Sequence, residues 1–191
     1  NEEYESFFEA TPRFESSDAV LDKAWHYRWF ILRHNLAQPG YGFLQGMVMY
    51  EGRSHKKSKR PLSSGGWHFA KLINLSTPLH LADMRWHHNR EIVYGMIRNM
   101  VNNLEENGLF CCASVDRRLH SFANYGVWAI YQFCQVDGNM GFVKEILPRL
   151  KEVVASETRV YSRGDHLQIE VKHSRTGKEY QPSYWYFHGF P

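Results

Sequence analysis

The feature that most constrains the fold is a pair of helical patterns separated by a turn, between residues 124 and 154. The first pattern has apolar side chains at helical spacing: Val127, Ile130, Tyr131 and Cys134, with Trp128 and Phe133 widening that face. The tripeptide Asp137-Gly138-Asn139 is a turn signal. The second pattern has an apolar side formed by Phe142, Ile146, Leu150 and Val153 and a charged side formed by Lys144, Glu145, Arg149 and Lys151. Two amphipathic helices with so short a connection predict an antiparallel hairpin that packs against other helices.

Further helical patterns precede this hairpin. Helices are predicted over residues 17–36, 63–75 and 79–86, and from residue 89 to a stop at Asn107-Gly108. Ser17 is the predicted cap of the first helix, and Ser121 is the predicted cap of the hairpin. One face of the first helix comprises Val20, Leu21, Ala24, Tyr27, Ile31 and His34, which leaves Arg28 and Arg33 on the solvated or ligand-facing side. The strongest period, in the helix that begins at residue 89, comprises Val93, Met96, Ile97, Met100, Val101 and Leu104.

The remaining segments are predicted to be extended or irregular. Residues 1–16 are predicted to be extended, because Thr11-Pro12 disfavours a helix there. A short strand is predicted near residues 47–50, and alternating polarity predicts a β-ribbon, assigned to residues 157–176. The expected architecture is therefore mainly α: a single region over residues 1–191, built of helical hairpins with one inserted β-hairpin.

Composition limits the class of protein and the kinds of partner. A chain of 191 residues with 43% hydrophobic and 15% aromatic residues predicts one globular domain with a sizeable core. The net charge of +3 is too small to indicate nucleic acid, and no apolar run is long enough to span a membrane. The basic run at residues 51–60 is interpreted as a solvated loop, with a clamp for an acidic or sulfated ligand as the alternative.

Cysteine and histidine usage argues against a disulfide scaffold and a metal site. The chain has 3 cysteines, and an odd number argues against a scaffold of paired disulfides. The vicinal Cys111 and Cys112 are predicted to be buried thiols. The 11 histidines show no spacing typical of metal ligands. No cofactor and no metal are therefore expected.

Three stretches, taken in order, resemble the six-hairpin glycosidases, which fold as (α/α)6 toroids. They are FFEATPRFESSDAVLDKAWHYRWF, then LSSGGWHFAKLINLSTPLHLADMRWHHNREIVYGMIRNMVNNLEENGLF, and then the hairpin described above. The resemblance is to the trehalase-like and mannosylglycerate-hydrolase-like group and covers roughly residues 7–186. It implies that the chain is the N-terminal part of such a catalytic domain.

The resemblance implies an inverting glycoside hydrolase that acts on an oligo- or polysaccharide. Inversion needs one protonated carboxyl group to donate to the leaving oxygen and one carboxylate to activate water. Gly177-Lys178-Glu179-Tyr180 falls where the family has its general acid, so Glu179 is the expected acid in a loop at residues 177–181. Lys178 departs from the family pattern, and a close lysine favours the ionised carboxylate. The predicted sugar-binding residues are Trp67, His68, Tyr180, Gln181, Tyr184, Trp185, Arg28 and Gln45.

A closed ring of six hairpins needs about twice the helices that this chain supplies. The catalytic base is therefore expected in the missing half of the toroid, in the same chain or another chain. The other expected partner is a carbohydrate; neither nucleic acid nor a membrane is expected. Two alternatives remain open: a non-catalytic carbohydrate-binding helical domain, and a polysaccharide lyase on the same toroid. A second carboxylate that faces Glu179 would favour the hydrolase.

Overall fold

The computed structural model of the chain describes residues 2–52, 70–165, 167–170 and 172–177. Within them the helices are α1 (Glu2–Glu9), α2 (Ala19–Asn35), α3 (Thr77–Met84), α4 (Arg90–Asn102), α5 (Gly126–Asp137) and α6 (Met140–Tyr161). A small antiparallel sheet pairs β1 (Leu36–Ala37) with β2 (Val48–Met49), and His173–Arg175 form a 3-10 turn. The predicted mainly α class is confirmed, whereas the closed ring of hairpins stays a prediction.

The predicted helical hairpin is present as α5 and α6. Gly138 ends α5 with a φ of 70°, a left-handed conformation in which glycine carries no steric penalty. Asn139 then caps α6, because its side chain accepts hydrogen bonds from the backbone N–H groups of Gly141 and Phe142. The predicted cap at Ser121 is wrong, since α5 begins only at Gly126.

Helices α4, α5 and α6 form the centre of the core. All six apolar residues predicted for the α4 pattern are buried, although Asn102 ends α4 before Leu104 is reached. On α6, Phe142, Ile146 and Val153 are buried as predicted. The predicted face of α5 is partly wrong: Tyr131 is 55% exposed, and the buried side is centred on Ala129, Ile130 and Phe133. Because α5 has apolar residues on every side, its period does not select one face.

Helix α2 has the predicted extent but a different buried face. Trp29, Leu32 and Arg33 are buried, whereas Val20 and Tyr27 of the predicted face are exposed. The cap is Asp18 rather than Ser17, because the Asp18 carboxylate accepts a hydrogen bond from the Val20 N–H at 2.8 Å. Because Arg33 is buried, it does not lie on the predicted solvated side. Its guanidinium binds the Glu3 carboxylate at 2.7 Å.

The predicted extended N-terminus is wrong, because Glu2–Glu9 form α1. Pro12 lies beyond the end of this helix and does not prevent it. Phe7 is the buried residue of α1, and its carbonyl oxygen accepts a hydrogen bond from the Thr11 hydroxyl at 3.0 Å. A helix of 8 residues is too short to be stable by itself, so its contacts with α2 and with His87 stabilise it.

The described residues correct two other predictions and confirm a third. Residues 70–75 are not helical, because Leu72 pairs with Ala113 in an isolated bridge; the rest of that predicted helix lies outside the described residues. Helix α6 continues through Tyr161, so the first residues assigned to the ribbon are helical. Beyond α6, Ser162 and Gln168 form an isolated antiparallel bridge. The strand predicted near residues 47–50 is confirmed as β2.

Candidate functional site

A depression of about 530 Å³ lies beside the C-terminal end of α4. The described residues that line it are Leu104, Glu105, Glu106, Asn107, Arg118 and Arg175. Its volume lies within the range of about 300–1,000 Å³ that is usual for small-molecule sites. Arg175 stands two positions before Gly177, the first residue of the predicted acid loop. The depression is therefore bounded by the part of the described chain that leads into that loop.

Glu105 lies at the centre of the group of residues that forms the wall of the depression. One carboxylate oxygen accepts hydrogen bonds from the Ser121 N–H at 2.8 Å and from Arg175 at 3.3 Å. The other accepts from Arg175 at 3.0 Å and from the Asn107 amide at 3.1 Å. The side chains of Glu105 and Arg175 are each only 16% exposed, so water screens this ion pair little. Glu105 therefore fixes the wall, because both of its oxygens are engaged by neighbouring residues.

Helix α6 and the turn at His173–Arg175 hold the same wall from two sides. Arg159 of α6 donates to the carbonyl oxygen of Asn107 at 2.7 Å. The carbonyl oxygen of Arg175 accepts a hydrogen bond from the Ala123 N–H at 2.9 Å. Gly108 has a φ of 84° and lies so close to Ser156 that a Cβ atom would meet its hydroxyl. The loop after α4 is consequently fixed by backbone geometry as well as by charge.

Two charged groups of the depression stay accessible. Glu106 is exposed, and its carboxylate makes no hydrogen bond or ion pair with any residue that the structure describes. Arg118 is also exposed; one of its N–H groups donates to the carbonyl oxygen of Asn102 at 3.1 Å, and its guanidinium lies 5.2 Å from the ring centre of Phe43. The depression therefore offers a carboxylate acceptor and guanidinium donors, the groups that bind hydroxyls of a polar ligand.

A neutral imidazole adjoins the ion pair. Burial lowers the pKa of His120, while the charge of Glu105 raises it and that of Arg175 lowers it. The His120 ring contacts Phe122 edge to face, with the ring centres 4.6 Å apart. Because its pKa is lowered from an ordinary value of 6.5, His120 is neutral at pH 7 and can either donate or accept a hydrogen bond.

Two of the predicted sugar-binding residues can be placed. Arg28 on α2 binds the Asp83 carboxylate of α3, with its Nε atom 2.9 Å from the carboxylate oxygen. Gln45 donates its amide to the carbonyl oxygen of Gly42 at 2.6 Å, a contact within its own loop. Neither is among the described residues that line the depression, and no hydrogen bond joins them. Trp67, His68, Glu179, Tyr180, Gln181, Tyr184 and Trp185 lie outside the described residues.

His80 lies close to the Arg28–Asp83 pair. The pKa of His80 is lowered to about 4: burial is the largest cause, the charge of Arg28 acts in the same direction, and that of Asp83 opposes both. The imidazole is therefore neutral at pH 7. Its Nδ1 atom is buried and has no hydrogen-bond partner among the described residues.

The cysteines are free thiols, and two of them are buried as predicted. Burial raises the pKa of Cys111 to about 11 and that of Cys112 to about 12. The Cys112 thiol donates to the side-chain oxygen of Asn74 at 3.1 Å, and the Cys111 thiol donates to the carbonyl oxygen of Asn103 at 3.3 Å. Neither thiol ionises near neutral pH, so neither is a nucleophile there.

Sequence reasoning missed the residues that line the depression. Glu105 and Glu106 directly precede the turn signal Asn107-Gly108, and a pair of carboxylates at the end of a helical pattern could have marked them. Arg175 carries no such signal, because its contact with Glu105 joins positions 70 residues apart.

The described residues show no group of three or more His, Cys, Asp or Glu side chains placed to hold a metal ion. No helix among them is both long enough and apolar enough to cross a membrane. No family model matches the chain, and a search of the curated proteins finds no match.

Proposed function

We propose that the chain is part of an inverting glycoside hydrolase that acts on an oligo- or polysaccharide, with Glu179 as the general acid. The observation that carries the proposal is the polar depression beside α4. Arg175 lines this depression two positions before the predicted acid loop begins, and the volume of about 530 Å³ suits a small polar ligand. The resemblance of the helical hairpins to six-hairpin glycosidases supports the same reaction class.

In this proposal Glu179 and the residues that line the depression have separate roles. Glu179 donates a proton to the glycosidic oxygen, and a carboxylate from the remaining half of the ring takes a proton from the attacking water. Glu106 and Arg118 bind sugar hydroxyls as acceptor and donor. Glu105 has no proton-transfer role, because both of its oxygens already accept hydrogen bonds from the wall.

The test is Glu179→Gln in the complete protein that contains this chain. We expect hydrolysis to fall by about 10²–10⁴-fold, because the proton donor is lost, while binding of the oligosaccharide is nearly unchanged. The matched control is Asp165→Asn, which removes an exposed carboxylate from the same C-terminal part of the chain. This control should keep the turnover of the parent protein.

The products distinguish the proposal from its rivals. A proton NMR spectrum recorded early in the reaction should show the opposite anomeric configuration to that of the substrate. Unchanged turnover in Glu179→Gln would remove Glu179 from the mechanism, and retained configuration would remove inversion. An unsaturated product from a uronate polymer would instead indicate a lyase.

A further inference from the structure

Helix α1 is attached to the fold through a cluster centred on His87. Phe7 is 4% exposed and stacks on the His87 ring, with the ring centres 4.4 Å apart. Trp29 of α2 completes the cluster, 6.2 Å from Phe7 and 5.9 Å from His87. Next to it, the backbone N–H of His88 donates to the carbonyl oxygen of Ala10 at 2.8 Å. This cluster therefore docks α1 together with Arg33 of α2, which binds the Glu3 carboxylate and lies 4.5 Å from the ring centre of Tyr4.

The hydrogen bonds of His87 define its protonation state. Its Nε2 atom lies 3.0 Å from the carbonyl oxygen of Phe7, and a carbonyl oxygen can only accept, so Nε2 carries the proton. Its Nδ1 atom is buried without a hydrogen-bond partner among the described residues. A second proton, on Nδ1, would create a fully buried cation, whose burial costs free energy that the backbone of Asn89 offsets only in part.

The charges around His87 do not compensate for a cation. Burial lowers its pKa, the backbones of Phe7 and Asn89 oppose this, and the charges of His88 and Arg90 lower it further. On α2, Arg33 is bound by Glu3 of α1 and is not among the charges that shift the pKa of His87. The other charged residues of α1 (Glu2, Glu5 and Glu9) have exposed side chains. Arg90 is paired with Asp137 rather than with a group at the ring.

We propose that α1 is an acid-released docking element: protonation of His87 displaces Phe7 and frees α1, while the core of α4, α5 and α6 stays folded. The docked form holds the neutral imidazole, whose ordinary pKa of 6.5 applies only after release. Docking is therefore complete above about pH 6.5 and weakens below it, by up to about tenfold per pH unit, until the pKa of the docked state is reached. His80, with a pKa of about 4, loses its neutral state in a lower pH range.

The test is amide hydrogen exchange, followed by mass spectrometry on the complete protein between about pH 7.5 and pH 5. Exchange rates are corrected for the intrinsic effect of pH. From pH 6.5 to pH 5.5, we expect the protection of the α1 amides to fall several-fold, and by at most about tenfold. Peptides from α4 should keep their protection over the same range, because the core does not open.

Two variants make the assignment specific. His87→Gln keeps an N–H donor for the Phe7 carbonyl group but cannot be protonated. In this variant, the protection of the α1 amides from exchange should not depend on pH in this range. His26→Gln is the matched control, because His26 of α2 is exposed and is not among the groups that shift the pKa of His87. It should behave like the parent protein.

Protection of α1 that does not change with pH in the parent protein would overturn the proposal, as would a His87→Gln variant that still loses α1 in acid. If Gln fails to dock α1 even at pH 7.5, the ring nitrogen shifts of His87 in the parent protein decide. The proposal requires a neutral ring with its proton on Nε2 that gains a second proton only as α1 is released. A ring that titrates near pH 6.5 with α1 still docked would refute it.

Discussion

Asn74 joins two loops that stand behind the wall of the depression, and it is fully buried. Its amide nitrogen donates to the carbonyl oxygens of Phe110 at 2.9 Å and Phe122 at 3.1 Å, and it lies 3.3 Å from the Ser121 hydroxyl. Its side-chain oxygen accepts from the Phe122 N–H and from the Cys112 thiol, each at 3.1 Å. Ser121 also holds Glu105 through its backbone N–H. Asn74 thus supports the ion pair from behind.

Asn74→Ala should lower the free energy of unfolding by about 2–4 kcal/mol. The substitution leaves the Phe110 carbonyl group and the Phe122 N–H group without the amide, whereas the Phe122 carbonyl group keeps the donor from Asn124. A buried polar group without a partner costs about 1–3 kcal/mol, and the Phe122 group is only partly buried, so it contributes near the lower end.

Urea unfolding of the complete protein measures this loss, provided that the slope against urea stays the same. The control is Asn102→Ala, an exposed residue at the end of α4, which should change the stability by no more than about 0.5 kcal/mol. The reasoning fails if Asn74→Ala costs less than about 1 kcal/mol, because both buried groups would then have found other partners.

Two further predictions concern the core and the loop after α4. Phe133→Ala should cost about 3–5 kcal/mol in the same unfolding experiment, because the ring is fully buried; the exposed Tyr131→Ala should cost far less. Gly108→Ala should cost about 1–3 kcal/mol, because its φ of 84° disfavours a Cβ atom and the new methyl group would meet the Ser156 hydroxyl. In a Ser156→Gly background, Gly108→Ala should cost less, because only the steric part is removed, and no cost at all in that background would show that the backbone conformation costs nothing.

The presence and the buried faces of α4 and α6 could be predicted because one side of each is polar, although α4 ends at Asn102, before the predicted stop, and α6 continues through Tyr161. In α4, a single apolar face with period 3.6 determines both that the helix exists and how it is oriented. Helix α2 behaves differently, since Trp25, Tyr27, Trp29 and Phe30 place large apolar groups on several sides. Its extent follows from the cap and the stop, but only packing selects the face that contains Trp29.

Helix α1 could not be predicted for another reason. Four of its eight residues are glutamates, which leaves little apolar period to detect. Its stability comes from Phe7, which is buried against His87, a residue 80 positions away. A contact of that kind has no counterpart in any local pattern.

The same limit applies to the candidate site. Arg28 and Gln45 are predicted to bind sugar because their side chains can form hydrogen bonds with hydroxyl groups. In the structure, Arg28 binds Asp83, and Gln45 binds a carbonyl group of its own loop. Glu105 and Arg175 are ordinary surface residues by composition and become a wall only when the turn at His173–Arg175 meets the end of α4. Ion pairs between residues so far apart in the chain cannot be predicted from the spacing of residues in the sequence.

The bond between Glu105 and Arg175 also has a topological consequence. The bond closes a segment of the chain whose ends are 70 positions apart. This segment contains α5, α6 and the turn between them. Joining the ends of so long a flexible segment costs chain entropy of about 4 kcal/mol, so one ion pair is a poor starting point for folding. We therefore expect the wall to be completed only after the hairpin packs against α4 and brings the ends together. We also expect a ligand bound there to resist separation of the hairpin from α4.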